Sequence, residues 1–508
     1  MNDNIMITLF QLFEKEGISY LHFKSNTNLN LSFQNRADFD VLIDKSRIID
    51  VERIISKCNG KRHNPVHIGY YPSVDNWLIF DENSGCVYHL HLHYQLVTGK
   101  SLVKDYVLPW NDLLFKTRIK DSEFGTYITD PSLELVLLAT RSVLKAKPKD
   151  YLKKLFGAYS LSNSMKREWE DLKQKASQER LIKYIEELYP INHQRMVQYL
   201  IKERMSQGDY RGMHRVVRQE MANYRRYGSL EASIRSRIYK IEDLIKKVRS
   251  RKAGGVAITK KISLQGGLII AFVGVDGAGK STVSNEISKW IGKKIECTRF
   301  YMGMGDGKTT VFASTMKRMK KTVSHENKPK AMEKNYEDVP VKGRKPITFI
   351  KNPKQYIKQY LKMCMICSVE KNNVKKIKKM YRYKLNGGIS VLDRFPQIEI
   401  VGQNDGPKMP PYIQVFGERN FVKKRIEKER RWLDIVNVIK PDMVFRLNIS
   451  VDTCINRKPE HNDREMFARK INELNKLHFQ GAKIIDIDAE LPYDLELLEI
   501  KKQLWKYV

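Results

Sequence analysis

The chain carries 508 residues, 92 of them Lys or Arg against 58 Asp or Glu, for a formal net charge of +34. That length predicts about three domains, and 42% hydrophobic with 10% aromatic residues excludes a wholly disordered chain. No apolar run reaches the ~18 residues of a membrane span, no signal-peptide pattern opens the chain, and six scattered cysteines make no disulfide framework, so a reducing cytoplasm is expected.

Residues 1–140 mix short strands and helices: YLHFKS, DFDVLID, VHIGYY, NWLIF and VYHLHLHYQLV, then the helical PSLELVLLATRSVLK. In the DFDVLID strand, Asp38 and Asp40 stand at i and i+2 on one face, a spacing at which two carboxylates can share divalent cations. The bland alternative is a solvated strand face. His89, His91 and His93 likewise share one strand face, which opens a zinc reading beside that of hydrogen-bonded or exposed histidines. Residues 141–262 show almost no strand signal. Apolar residues recur at helical spacing in 181–200 and 234–248 among many Lys and Arg, so a basic helical connector domain is expected. From 263 to 508, strands at 268–275, 389–392, 443–449 and 483–487 alternate with helices, which predicts a parallel sheet in an α/β domain.

The most informative stretch is LIIAFVGVDGAGKST, Leu268–Thr282, where a buried strand runs into G-x-x-x-x-G-K-S from Gly274 to Ser281. Gly274, Gly277 and Gly279, with Asp276 and Ala278 between them, let backbone N–H groups turn inward around phosphate oxygens. Lys280 brings a positive charge to the outer phosphates, Ser281 a hydroxyl suited to Mg²⁺, and Thr282 opens a helix whose positive end faces the same anion. Further on, Ile389–Leu392 leads into Asp393-Arg394-Phe395. Asp393 is placed to hold Mg²⁺ or orient an acceptor, and Arg394 to clamp an acceptor phosphate with its planar fork. The segment 456–466 (NRKPEHNDREM) sets Arg457 and Arg464 on a polar loop between helices, which suits a lid over a transferring phosphoryl group.

Between these motifs lies a basic insertion, about 307–385. Its first part, 307–352, reads as a loop, and its second as a helix from Pro353 to about Lys379. Residues 371–384 hold seven Lys or Arg and no acid, interleaved with Tyr381 and Tyr383. That patch reads either as a grip on an anionic glycan, nucleic acid or membrane surface, or as a solvated helix face. Cys364-x-x-Cys367 sits in a helical, Met-rich stretch and reads as packing.

Residues from about 266 onward resemble the thymidylate kinase family of P-loop nucleotide kinases. VGVDGAGKST carries that family's acid inside the loop, LDRF matches its Asp-Arg-aromatic motif, and NRKPEHNDRE resembles its arginine lid. The resemblance implies a five-stranded parallel sheet, ATP and Mg²⁺, and transfer of the γ-phosphoryl group to a nucleoside monophosphate such as dTMP. It implies Lys280 on donor phosphates, Ser281 on the metal, Arg394 on the acceptor phosphate, Arg457 and Arg464 on the transition state, and adenine near 488–491. Where the family carries a Ser- and Gln-containing base-reading helix, this chain has PQIEIVGQNDGPKMPPY. The acceptor therefore stays open between a nucleoside monophosphate, a sugar or glycan, and a nucleic-acid end, and the oligomeric state is open too, a homodimer included.

Residues 18–140 resemble the nucleotidyltransferase fold, in the branch whose first motif reads Lys-Gly, here Lys24-Ser25. The resemblance implies a Mg²⁺ pair on Asp38 and Asp40 with a third carboxylate where His91 stands. An imidazole is a poor replacement for a carboxylate on Mg²⁺. A domain that binds a nucleotide or sugar without transferring it is the resulting expectation.

Overall fold

A computed structural model of the chain describes residues 4–65, 71, 73–146, 163–203, 205–252, 256–303, 353–402, 405–459 and 463–508. Most of the VHIGYY segment, the whole of 307–352 and residues 460–462 of the arginine loop lie outside the described residues. The chain divides into two units, Met1–Arg249 and Ser250–Val508.

In the first unit the strands are β1 (Tyr20–His22), β2 (Phe39–Ile43), β3 (Gly60–Asn64), β4 (Val74–Phe80), β5 (Val87–His93), β6 (Leu96–Thr98), β7 (Tyr106–Leu108), β8 (Ile119–Lys120) and β9 (Tyr127–Ile128). One sheet runs in the order β3-β4-β5-β2-β1-β9-β8, with β2 and β5 parallel at its centre. Alternation sends Phe39, Val41, Leu90 and Leu92 into a core with Met6, Leu9, Phe10 and Phe13 of the helix Ile5–Lys15. On a second core, Leu21, Phe23 and Leu42 meet the helix Pro131–Leu144. This helix is almost wholly buried, Glu134, Thr140 and Ser142 included, so one side of cover is not enough. The helices Asn163–Lys175, Gln178–Leu188, His193–Ile201 and Gln207–Glu220 complete that cover, through Trp169, Leu172, Ile185, Met196 and Val217. A boundary near 140 was expected from the change in pattern. The hydrophobic cluster runs across that position, and the helical segment up to Arg249 shares a unit with the strands.

The second unit holds β10 (Ile262–Ser263), β11 (Ile269–Gly274), β12 (Cys297–Tyr301), β13 (Ile389–Asp393), β14 (Met443–Asn448) and β15 (Lys483–Asp488). Its five-stranded sheet runs β12-β13-β11-β14-β15, every pairing parallel. Near-continuous apolar runs in β11, β13 and β14 suit strands covered on both faces. The register sets Phe272 opposite Asp393 and Gly274 opposite Leu447, so the turns after β11, β13 and β14 open at one edge.

The second half of the insertion is a 33-residue helix, Pro353–Leu385. Its inner face buries Ile377, Met380 and Tyr383. Tyr383 donates to Glu296 at 2.6 Å, Lys376 to the Tyr301 carbonyl at 2.7 Å, and Lys384 pairs with Asp442 at 2.5 Å. The expected stripe 371–384 is thus divided: Tyr383, Lys376 and Lys384 fasten the helix to the sheet, while Tyr381 stays exposed. No helix among the described residues is long and apolar enough to cross a membrane.

A Cβ on Gly388, which enters β13, would stand 2.5 Å from the buried Tyr383 ring. Overpacking of this kind costs about 1–3 kcal/mol. Gly388→Ala is therefore expected to lower the urea midpoint of the second unit's unfolding in the full chain, with the first unit's transition unmoved.

Candidate active site

The loop after β11 turns through Gly277 and Gly279, whose φ values of +96° and +82° lie in the left-handed region that glycine adopts without strain. A Cβ on Gly274 would press on Ala278 and the Leu447 carbonyl at 3.0 Å, so the strand end needs glycine for closeness. The helix Lys280–Gly292 starts at once, and its first N–H groups have no intrahelical acceptors. Gly274, Asp276, Gly277, Ala278, Gly279, Lys280, Ser281 and Thr282 thus stand in one strand–turn–helix unit, with Ser281 and Thr282 exposed.

Lys280 is buried and donates to the Val275 carbonyl at 2.7 Å. Burial, then the nearby Arg394 charge, pushes its ammonium down to about 8. Asp276 accepts from Arg394 at 3.0 Å and lies 3.5 Å from Lys470. Burial opposes its ionisation, but Lys280, Arg394, Lys470 and Lys458 outweigh that and hold it far below the usual carboxylate range. One carboxylate therefore organises a ring of cations.

Asp393 ends β13 fully buried, with Oδ2 2.6 Å from Arg299. Arg299 also donates to Ser284 at 3.0 Å, tying the acid to the helix after the phosphate loop. The other oxygen of Asp393, Oδ1, is buried without a hydrogen-bond partner among the described residues. Arg394 sits at φ +71° with its N–H bonded to the Phe272 carbonyl at 3.0 Å. That left-handed backbone costs a non-glycine residue roughly 1–2 kcal/mol. It turns the guanidinium toward Asp276 and toward Asp405 at 3.5 Å.

Gly274, Asp276, Lys280, Arg394, Asp405 and Lys470 line one cleft. The two lid arginines diverge. Arg457 donates to the Gly277 carbonyl at 3.2 Å and to Ala489 at 2.9 Å, joining the phosphate loop to the turn after β15. Arg464 pairs at 2.6 Å with Asp452, both side chains more than half exposed, and does not line the cleft. Lys470, two turns further along the same helix, does. Neither Lys470 nor Asp405 stood out in the sequence. Their signal was only an i+6 spacing from Arg464 and one acid in a Gly- and Pro-rich segment.

Asp405 also lines a second, small cavity with Glu370, Asn373, Lys408, Glu429 and Trp432. Glu429 accepts the N–H groups of Lys408 and Met409 at 2.6 and 2.9 Å. Burial, then the adjoining Glu429, pushes the Glu370 carboxyl up to about 9, so it is protonated at neutral pH. Gln397, buried in the segment after Arg394, spends its side chain locally. It donates to the Ile400 carbonyl and accepts from the Glu399 and Ile400 N–H groups.

In the first unit Asp38 and Asp40 take separate partners. Asp40 pairs with Lys24 at 2.8 Å and with His91 and His93 at 3.3 and 3.4 Å. Burial opposes its charge, but Lys24 and the two imidazoles keep it well below the usual carboxylate range. Asp38 meets His89 at 2.9 Å. A lysine already stands against Asp40 where a shared Mg²⁺ would need negative oxygens, so the two carboxylates do not fit that ion as a pair.

No protein-family model matches the chain. Over 232 residues, 46% of its length, it is 29% identical to the uncharacterized ATP-binding protein YghR of Escherichia coli K12, covering 84% of that protein. It is 26% identical to the uncharacterized ATP-binding protein YghS of the same strain, covering 89% of it. Similar solved structures include deoxyadenosine kinase from M. mycoides with bound dATP, 20% identical over 47% of this chain and 99% of that one, TM-score 0.24. Another is thymidylate kinase from Ehrlichia chaffeensis, 12% identical over 47% and 99%, TM-score 0.25.

Glu370 holds in the fold a proton that the unfolded chain, with a carboxyl near 4.5, releases. Stability is then highest below 4.5 and falls as pH rises toward about 9, where that proton leaves. Glu370→Gln is expected to flatten this decline in thermal melts of the second unit between about pH 6 and 9. An unchanged slope would place the proton elsewhere.

Proposed function

We propose that the second unit is an ATP-dependent phosphotransferase that moves the γ-phosphoryl group of ATP to the phosphate of a small acceptor, a nucleoside monophosphate being the first candidate. One observation carries the reading: Lys280 of the phosphate loop and Arg394 of the neighbouring strand converge on Asp276 in a single cleft at the carboxyl edge of a parallel sheet. That 29% identical relatives are named ATP-binding proteins supports the donor.

In this reading the loop's N–H groups and the Lys280 ammonium bind donor phosphates, and Arg394 orients the acceptor phosphate by its fork. An acceptor oxygen bonds to the γ-phosphorus as the bond to the β–γ bridging oxygen breaks, giving ADP. The acceptor phosphate is already ionised, so no general base is needed. Lys470 and Arg457 close the positive ring as charge spreads over the equatorial oxygens. The residues that would hold magnesium are Ser281 in the first turn of the helix and Asp393, whose Oδ1 has no hydrogen-bond partner among the described residues while Oδ2 is held by Arg299. Bound there, Mg²⁺ would neutralise phosphate charge. Asp405, which faces both Arg394 and the second pocket, marks the side on which the rest of the acceptor would lie. The Gln397 amide is held by its own backbone, which favours a phosphorylated sugar as the second reading.

The test is label transfer from γ-labelled ATP by the full chain, with separate pools of nucleoside monophosphates and phosphosugars. Lys280→Ala should cut transfer at least about a hundred-fold with an unchanged cooperative melt. Transfer untouched, or a melt lost, would overturn the role of Lys280. At low ATP, kcat/KM for ATP should also decline as pH passes about 8, where the ammonium of ligand-free Lys280 loses its proton. Arg394→Ala should raise the acceptor KM at least tenfold while ATP binding persists.

A further inference from the structure

The register of β2 against β5 pairs Asp40 with His91, and alternation brings Asp38, Asp40, His89, His91 and His93 to one face of that sheet. Within this group the donor atoms of Asp38, His89 and His91 lie within 4.8 Å of one another. We propose that Asp38, His89 and His91 form a binding site for a borderline divalent transition ion of the Zn²⁺ class.

The surrounding bonds are those such a site needs. His89 Nε2 lies 3.1 Å from Asn76 Oδ1, and its Nδ1 faces Asp38 Oδ2 at 2.9 Å. Two ligand atoms each about 2.1 Å from one ion stand roughly 2.9–3.4 Å apart, so this pair already has the separation of two neighbouring ligands. His91 gives Nδ1 to Asp40 at 3.3 Å, which leaves Nε2 as the nitrogen it can offer a metal. Asn76 and Asp40 are thus outer partners that fix ring orientation, the arrangement metal-bound imidazoles use. Burial grades across the site: His89 is 2% exposed, whereas Asp38 and His91 are about a third exposed and form its open side.

The donor set also selects the ion. Mg²⁺ relies on anionic and carbonyl oxygens, and here Lys24 compensates the Asp40 charge at 2.8 Å, leaving Asp38 as the carboxylate for a cation. Two imidazoles with one carboxylate suit zinc or cobalt, whose bonds to nitrogen do not depend on net charge alone. Three protein ligands leave room for a water or an anionic ligand to complete the shell.

The full chain, stripped with a chelator and dialysed, would be titrated with Co²⁺ and Zn²⁺, following the visible d–d bands of cobalt and the heat of zinc binding. Cys364→Ser/Cys367→Ser serves as background, so that this cysteine pair contributes nothing. One equivalent of Co²⁺ should give tetrahedral or five-coordinate bands that Zn²⁺ abolishes and millimolar Mg²⁺ does not. His91→Gln and Asp38→Asn, both on the open side, should each weaken binding at least about ten- to a hundred-fold with the melt retained. Asn76→Ala should weaken it less while leaving stoichiometry intact. No saturable site, displacement by Mg²⁺, or affinity unchanged in both His91→Gln and Asp38→Asn would overturn the assignment.

Discussion

The parallel pairing of β11 with β13 is the constraint on which the second unit's cleft depends. Phe272 stands opposite Asp393, and the Arg394 N–H closes on the Phe272 carbonyl. One register thereby fixes two turns that lie more than a hundred positions apart in the chain. A slip by one residue would send Asp393 to the other face and carry Arg394 away from Asp276. The apolar runs of both strands, buried on both faces, forbid that slip more firmly than any single polar contact.

Charge is arranged around this frame by subtraction. A chain with a formal charge of +34 could spread its cations evenly. Instead Lys280, Arg394 and Lys470 gather around Asp276, and Arg299 is drawn off to Asp393. Each carboxylate holds cations that would otherwise repel one another at close range, and a phosphate group entering among them meets positive charge already oriented. Such fixed charge, set in place before a ligand arrives, is where an anion site gains its strength. The first unit shows the same device, since Lys24 compensates the Asp40 charge at 2.8 Å.

Much of this was legible in the sequence, and the reasons separate cleanly. The phosphate loop and the Asp-Arg turn were readable because glycine spacing and strand-end chemistry are local. Strands β11, β13, β14 and β15 appeared within a residue or two of their expected limits, as buried apolar runs do. β12 was not picked out, because Cys297–Tyr301 is a short edge strand with a half-polar face. Long-range geometry was hidden. Nothing in NRKPEHNDRE distinguishes Arg457, which reaches the loop, from Arg464, which turns to Asp452. Lys470 could be found only once its helix was placed. The all-apolar face of Leu133–Leu144 hinted that the following helices belonged to the same core, but a change from strand to helix pattern masked it.

The left-handed backbone at Arg394 has a consequence for how this chain can change. At that position the main chain and the cleft want different residues: the backbone is relaxed by glycine, and the ion pairs to Asp276 and Asp405 need the guanidinium. A search that rewards backbone relaxation alone is drawn toward exchanging the arginine, and gives up with it the ion pairs to Asp276 and Asp405 that order the cleft. Backbone relaxation and an ordered cleft pull in opposite directions at a single residue, so the two have to be selected together.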